Sequence, residues 1–359
     1  MRQIFRTGTK MKQCSWLLLV LCVAMFPVVG LGGPPDGSPR GHGGGGGGGG
    51  GGRGSGGDVS FGGRATVVDA TALGIQIVIS DTGPLPPSGG AREASLLEAE
   101  VPGLLTAEVL PASTIGQGDR TRSEASVANL NLTVGRNTIS ADFLMARAQA
   151  VCGPTVSGSS EIAGLMINGQ AITVTGERNQ TVKLPAGTGR VVINEQSSSP
   201  DNSDITVNAL HVVGDGVADV VISSAHAEVT CTGQPICDGG DFVTGGGWIN
   251  LPSGARGNFG VAGGFKGGAF WGHLVYMDRG NNVKVKGTGV TAYTDTGTTM
   301  RHIEGNCEGA GCTTTYLVDV ADNGEPGRGD TFAIALPPGG HDASGTLAGG
   351  NIQLHRPCQ

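Results

Sequence analysis

The chain has 359 residues, of which 67 are Gly, 4% are aromatic and 15% are charged, and its formal net charge is −7. An acidic balance repels nucleic acid phosphates and anionic lipid headgroups, so neither partner is expected. Gly recurs without the Gly-X-Y period of a collagen, and apolar residues persist between the glycines, which favours folded β domains over disorder.

Residues 1–30 have the parts of a secretory signal peptide: a basic start (Arg2, Arg6, Lys10, Lys12), an apolar stretch from Trp16 to Val29 and small residues suited to cleavage after Gly30. The apolar stretch is shorter than the roughly 20 residues that span a bilayer, and Pro27 interrupts it, so membrane contact is expected only if the signal stays uncleaved. Cys22 follows Leu-Val-Leu and lacks the small residue that precedes a lipidated cysteine. Removing this segment, which holds four basic residues and no acid, takes the net charge from −7 to −11. Residues 31–57 read as a disordered Gly-rich linker, because the run Gly43 to Gly52 loses too much backbone entropy on ordering to join a core.

From 58 to 232 the apolar pattern has period two, as in strands that alternate between faces. Ile75, Ile77 and Ile79 share one face, and so do Ile205, Val207 and Ala209. Turn clusters such as Gly83 to Pro87 and Gln196 to Asp201 separate the runs. The region 237–359 opens at Asp241 to Trp248 and continues with strands expected at 258–265, 273–278, 282–293, 313–322 and 331–336, closing on Ala343 to His355. Tyr316, Val318 and Val320 fall on one face while Leu317 and Asp319 fall on the other. Its many glycines suggest a thin, strongly curved sheet. The fold class is all-β: two Gly-rich antiparallel domains, each a sandwich or barrel.

These two regions carry a resemblance. Arg64-Ala-Thr-Val-Val-Asp-Ala-Thr71, Val101-Pro-Gly-Leu-Leu105, Ala125-Ser-Val-Ala-Asn129, Ser157-Gly-Ser-Ser-Glu-Ile162, Val192-Ile-Asn-Glu-Gln196, Asn208-Ala-Leu-His211 and Asp219-Val-Val-Ile-Ser-Ser-Ala-His226 resemble the choice-of-anchor P family. Phe242-Val-Thr-Gly-Gly-Gly-Trp-Ile249, Asp322-Asn-Gly-Glu-Pro-Gly-Arg-Gly-Asp-Thr-Phe332 and Gly349-Gly-Asn-Ile-Gln-Leu-His355 resemble the post-COAP module that can follow it. The resemblance implies export and a variable mode of anchoring, with no defined activity. After His355 the sequence continues only as Arg-Pro-Cys-Gln, without a sorting motif, apolar segment or basic tail, so attachment through that end is not expected.

Six cysteines follow the signal, and an even count in an exported chain favours disulfides. The pairing expected is Cys152 with Cys231, Cys307 with Cys312, and Cys237 with Cys358. No Cys-x-x-Cys knuckle or spaced Cys/His set suits zinc. Asp319, Asp322, Asn323, Glu325 and Asp330 crowd one loop and offer the hard oxygens that calcium takes, although Asn323-Gly324 and Pro326 equally make a turn with no ion. Arg328-Gly329-Asp330 has the form of a receptor-binding tripeptide but lies inside the longer module motif. No resident cofactor is otherwise expected.

For catalysis, His226 shares a strand face with Ser224 and Glu228, a base with an acid and a hydroxyl, while His211 continues the face of Ile205 and Val207 and reads as a hydrogen-bonded core or rim residue. No nucleophile elbow, zinc-protease helix or phosphate loop is present, so no catalytic residue is assigned. Trp248, Trp271 and Tyr276 are the rings that would grip a glycan if they face solvent, and they would be core if they do not. The leading expectation is a secreted or cell-surface, non-enzymatic structural or display protein. The alternatives are an extracellular binding module for glycan or surface polymer, and a hydrolase using His226 and Glu228.

Overall fold

The structure, a computed structural model, describes residues 59–357 except Gln234, Ile236, Asp238 and Gly239; the expected signal peptide, the Gly-rich linker and Cys358 lie outside the described residues. The described residues belong to one compact unit of antiparallel strands, as period-two alternation dictates.

In chain order the strands of the first body are β1 (Val59–Ala72), β2 (Ile75–Asp81), β3 (Gly90–Val101), β4 (Leu105–Gln117), β5 (Arg120–Val134), β6 (Asn137–Val151), β7 (Thr155–Ala163), β8 (Met166–Ile167), β9 (Gln170–Ala171), β10 (Gln180–Lys183), β11 (Gly189–Ser198), β12 (Asp204–Gly214) and β13 (Ala218–Cys231). One sheet has the order β10-β11-β12-β13-β1-β2; the other runs β3-β4-β5-β6-β8-β9, with β7 also paired to β6. Both sheets contribute to one apolar core, where Val67, Val207, Ile222 and Ala225 meet Leu110, Val127, Leu130 and Leu144. Ile205, Val207 and Ala209 are all buried, as their spacing predicts. Ile77 and Ile79 also pack on the core, whereas Ile75 is 55% exposed because it starts β2 beside the Leu73-Gly74 turn.

Strict alternation fails within the long strands. In the first sheet the pairing register passes over Ser80 and Val67, Val67 and Ser223, Ser223 and Ala209, and Ala209 and Asn194, so one line of irregular residues crosses the sheet from β2 to β11. Ser80, Asn194 and Ser223 sit on this line with φ of 52°, 52° and 55°, a left-handed conformation that short polar side chains tolerate. Across the line the inward set shifts by one residue, which is why Ala209 and Leu210 are both buried. In the second sheet Val109 and Asn129, at φ of 48° and 49°, do the same, and Val109 leaves the sandwich core for a cluster with Phe143, Met145, Trp248, Val275 and Met277.

The second body comprises β14 (Phe242–Asn250), β15 (Arg256–Lys266), β16 (Ala269–Asp278), β17 (Val283–Asp295), β18 (Met300–Ala310), β19 (Thr315–Ala321), β20 (Thr331–Ala335) and β21 (Asp342–His355). Each pairs with the next and β21 returns to β14, so the curved sheet closes into a barrel and leaves no free edge. Strand β18 is not apparent in the sequence because Ile303 is the one large aliphatic it points inward. Gly305 lies next to it, where an added Cβ would stand 2.5 Å from the Tyr316 ring. Tyr316, Val318 and Val320 face the interior and Leu317 and Asp319 face out, as read from the sequence. Phe259 and Phe332 stack in the barrel core with centroids 3.9 Å apart.

The disulfides Cys152–Cys231 and Cys307–Cys312 form as expected. Cys237 is also disulfide-bonded.

The barrel packs on the outer face of the β3-β4-β5-β6 sheet. Glycine permits this approach: a Cβ on Gly260 would stand 2.5 Å from Pro111, and one on Gly246 would stand 2.5 Å from Ser126. Trp248 points out of the barrel yet is 6% exposed, because its ring lies 4.8 Å from Phe143 of the sandwich and 4.9 Å from the Arg256 guanidinium. Carboxylates of the sandwich meet basic side chains of the barrel: Glu98 meets Lys284 and Glu108 meets Arg279, while Glu93 lies against the His273 imidazole.

Candidate functional site

A groove of about 810 Å³ lies on the outer face of β18 to β21. Register builds its floor. His302, Asp319, Ala333 and Ser344 are cross-strand neighbours in one outward row. Glu304, Leu317, Ala335 and Asp342 form the adjacent row. The second row is polar at its ends and apolar in the middle, whereas in the first only Ala333 is apolar, between Asp319 and Ser344. The β14–β15 turn, with Leu251 and Ser253, makes one wall and the β20–β21 turn, with His341, another.

His302 is held on both ring nitrogens, with Nδ1 2.7 Å from Asp319 Oδ1 and Nε2 3.3 Å from Glu304 Oε1. Burial disfavours its cationic form, but the two carboxylates outweigh burial and raise it above the ordinary 6.5. His341 turns Nε2 to Tyr276 Oη at 2.9 Å and lies 3.7 Å from the fully buried Asp278 carboxylate. Asp278 is itself fixed by the Gly280 N–H and the Asn281 side chain. Burial, reinforced by Asp278, pushes the Tyr276 phenol well above its usual range, so it remains a neutral hydroxyl. Among the described residues neither Ser253 nor Ser344 hydrogen-bonds to an imidazole.

The rings proposed from sequence as a sugar platform are used elsewhere. Tyr276 is fully buried in the barrel core, where its ring stacks with Phe332, and Trp248 is sealed between the two bodies. Trp271 is half-buried edge-to-face on Phe242, beside Ala91 and Ile115 of the sandwich. Solvent therefore meets no continuous face of the three.

The five residues considered for calcium do not converge. Asp319 turns to His302, while Asp322 accepts the Leu354 N–H through Oδ2 at 2.7 Å. Asp330 accepts the Asn323 and Ile352 N–H groups, and Glu325 accepts the side-chain amides of Asn351 and Gln353. The Asn323 amide donates to Gly329 O. These side chains lace the loop onto β21, and no group of three or more His, Cys, Asp or Glu among the described residues is placed to hold a metal. Asp330 of the Arg-Gly-Asp tripeptide is fully buried, which removes its carboxylate from any receptor.

His226 accepts or donates at Nδ1 to Thr206 Oγ1, 3.1 Å away, and its Nε2 is 3.9 Å from Glu228; it is not joined to Ser224. His211 is clamped between Glu195 and Asp219, each at 2.9 Å, the hydrogen-bonded rim role expected of it. The groove histidines were missed in sequence because His302 sits in the unrecognised strand and meets Asp319 only through barrel register; the alternating Arg301-His302-Ile303-Glu304 run was the available signal.

No family model, curated protein or solved structure matches the chain.

Proposed function

We propose that the chain is an exported, non-enzymatic structural or display protein of the cell exterior, of the choice-of-anchor P type with a post-COAP module, carried on a signal peptide and a Gly-rich tether. The observation that supports this reading best is the joint: Trp248, an outward-facing ring of the barrel, is sealed against Phe143, and the pairs Glu98–Lys284 and Glu108–Arg279 also join the two bodies. A joint built this way makes two β bodies into one stiff unit, which suits a spacer or display element. Two disulfides suit an oxidising exterior. Fractionation of source cells with antibody detection tests the reading: protein in the medium or accessible to externally added protease is expected, and protein retained in the cytoplasm would overturn it.

A further inference from the structure

We propose that the groove on the outer face of β18 to β21 binds a saccharide chain that is neutral or carries amino groups. This goes beyond the display reading and stands without it. The floor presents an apolar patch of Leu317, Ala333 and Ala335, bordered by Asp319 and Ser344 along one row and by Glu304 and Asp342 along the other. Neighbouring strands are about 4.8 Å apart, so the apolar centre is one sugar ring wide. A sugar ring offers an apolar C–H face with hydroxyls around its rim. Two alanines leave room for that face, and Asp319, Asp342 and Ser344 stand where the rim would lie. His302 holds Oδ1 of Asp319, which fixes the carboxylate while Oδ2 has no protein partner among the described residues. An anchored acceptor of this kind loses little freedom on binding a hydroxyl or ammonium donor.

Other ligand classes fit less well. A peptide adding as a strand needs an unpaired edge, and β18, β19, β20 and β21 are each paired on both sides. Anionic polymers meet Glu304, Asp319 and Asp342.

Titration calorimetry of the intact chain with three probes decides the matter: cellohexaose, a glucosamine hexamer and a galacturonate hexamer. The expected result is saturable binding of one of the first two and none of the third. Ala333→Trp fills the groove and abolishes binding, Asp319→Asn weakens it by about tenfold or more through loss of a charged hydrogen-bond partner, and Trp271→Ala leaves it unchanged. Absence of binding to all three probes, preference for the galacturonate, or binding that survives both groove variants would overturn the proposal. Should Ala333→Trp fail to fold, the His302 ring resonances of the wild-type chain replace it: they shift on saturation with the bound probe if the groove is the site, and remain fixed if it is not.

Discussion

Glu98 and Glu108 stand directly opposite each other on the antiparallel strands β3 and β4, and each is answered by a cation of the other body, Lys284 for Glu98 and Arg279 for Glu108. Like charges in facing positions destabilise a sheet. The sandwich face is therefore unfavourable alone and favourable with the barrel on it. Glu108 is 7% exposed; the Arg279 Nε–H reaches both its oxygens, at 3.1 and 3.0 Å, and the Asn129 amide donates to Oε2 at 2.7 Å, so Arg279→Met leaves a buried carboxylate without its cation. The expected loss is about 1–3 kcal/mol, smaller than for a fully buried pair because Arg279 itself is largely exposed. Urea denaturation of the single variant and of Arg279→Met with Glu108→Gln checks this: the double variant recovers stability if the stranded charge is the cause.

Trp248→Ala removes the ring between Phe143 and Arg256 and is expected to cost about 3–5 kcal/mol, the range for a large aromatic lost from a packed site. Its effect is on coupling as well as stability. Calorimetry should show one unfolding transition for the native chain and two for the variant, since the sandwich and barrel each keep a separate core. Gly349→Ala gives an independent test, because a Cβ there would lie 1.8 Å from the Trp248 ring. One transition in both variants would mean that the joint does not depend on this ring.

Most of the barrel's strands, β18 apart, and the face of Tyr316, Val318 and Val320 were legible because burial on one side writes period two into the sequence. The irregular line through Ser80, Val67, Ser223, Ala209 and Asn194 was not, since it exists only when five strands are laid in register. Trp248 shows a second limit. Its outward position on a strand could be read, but its burial depends on Phe143, over 100 residues away. The groove depends on the same kind of information, as His302 and Asp319 meet through pairing across two strands and Ala333 and Ser344 through two more.

The two described disulfides should differ in worth. Cys152–Cys231 spans 79 residues and Cys307–Cys312 spans 5, and loop-closure entropy gives about 4–5 kcal/mol for the first and about 2 for the second. Paired Cys→Ala replacement of each, followed by denaturation under non-reducing conditions, checks the order. Equal losses would show that denatured-state entropy does not govern these bridges.

Stability should fall as pH rises from about 6.5 to 8. Burial raises Glu124 from 4.5 to about 8; Arg147 opposes the shift, the neighbouring Glu325 and Asp330 carboxylates add to it, and an Asn351 hydrogen bond works against it. Over that interval the folded state keeps a proton on Glu124 that the unfolded chain has released, so raising the pH favours unfolding. His211 and His302 act in the same direction, because their folded values lie above 6.5 and their partners' attraction is lost as they deprotonate. Below 6.5 the effects divide. Asp330, raised by burial to about 6, loses stability as pH rises through that value, whereas His355, buried near Arg122 and held well below 6.5, loses stability as pH falls. The clean window is therefore above 6.5, and Glu124→Gln, which keeps the shape and removes the ionisation, should flatten the slope and raise stability most at pH 8. Urea midpoints measured from pH 6.5 to 8 decide it: an unchanged slope in the variant would assign it to His211 and His302 instead.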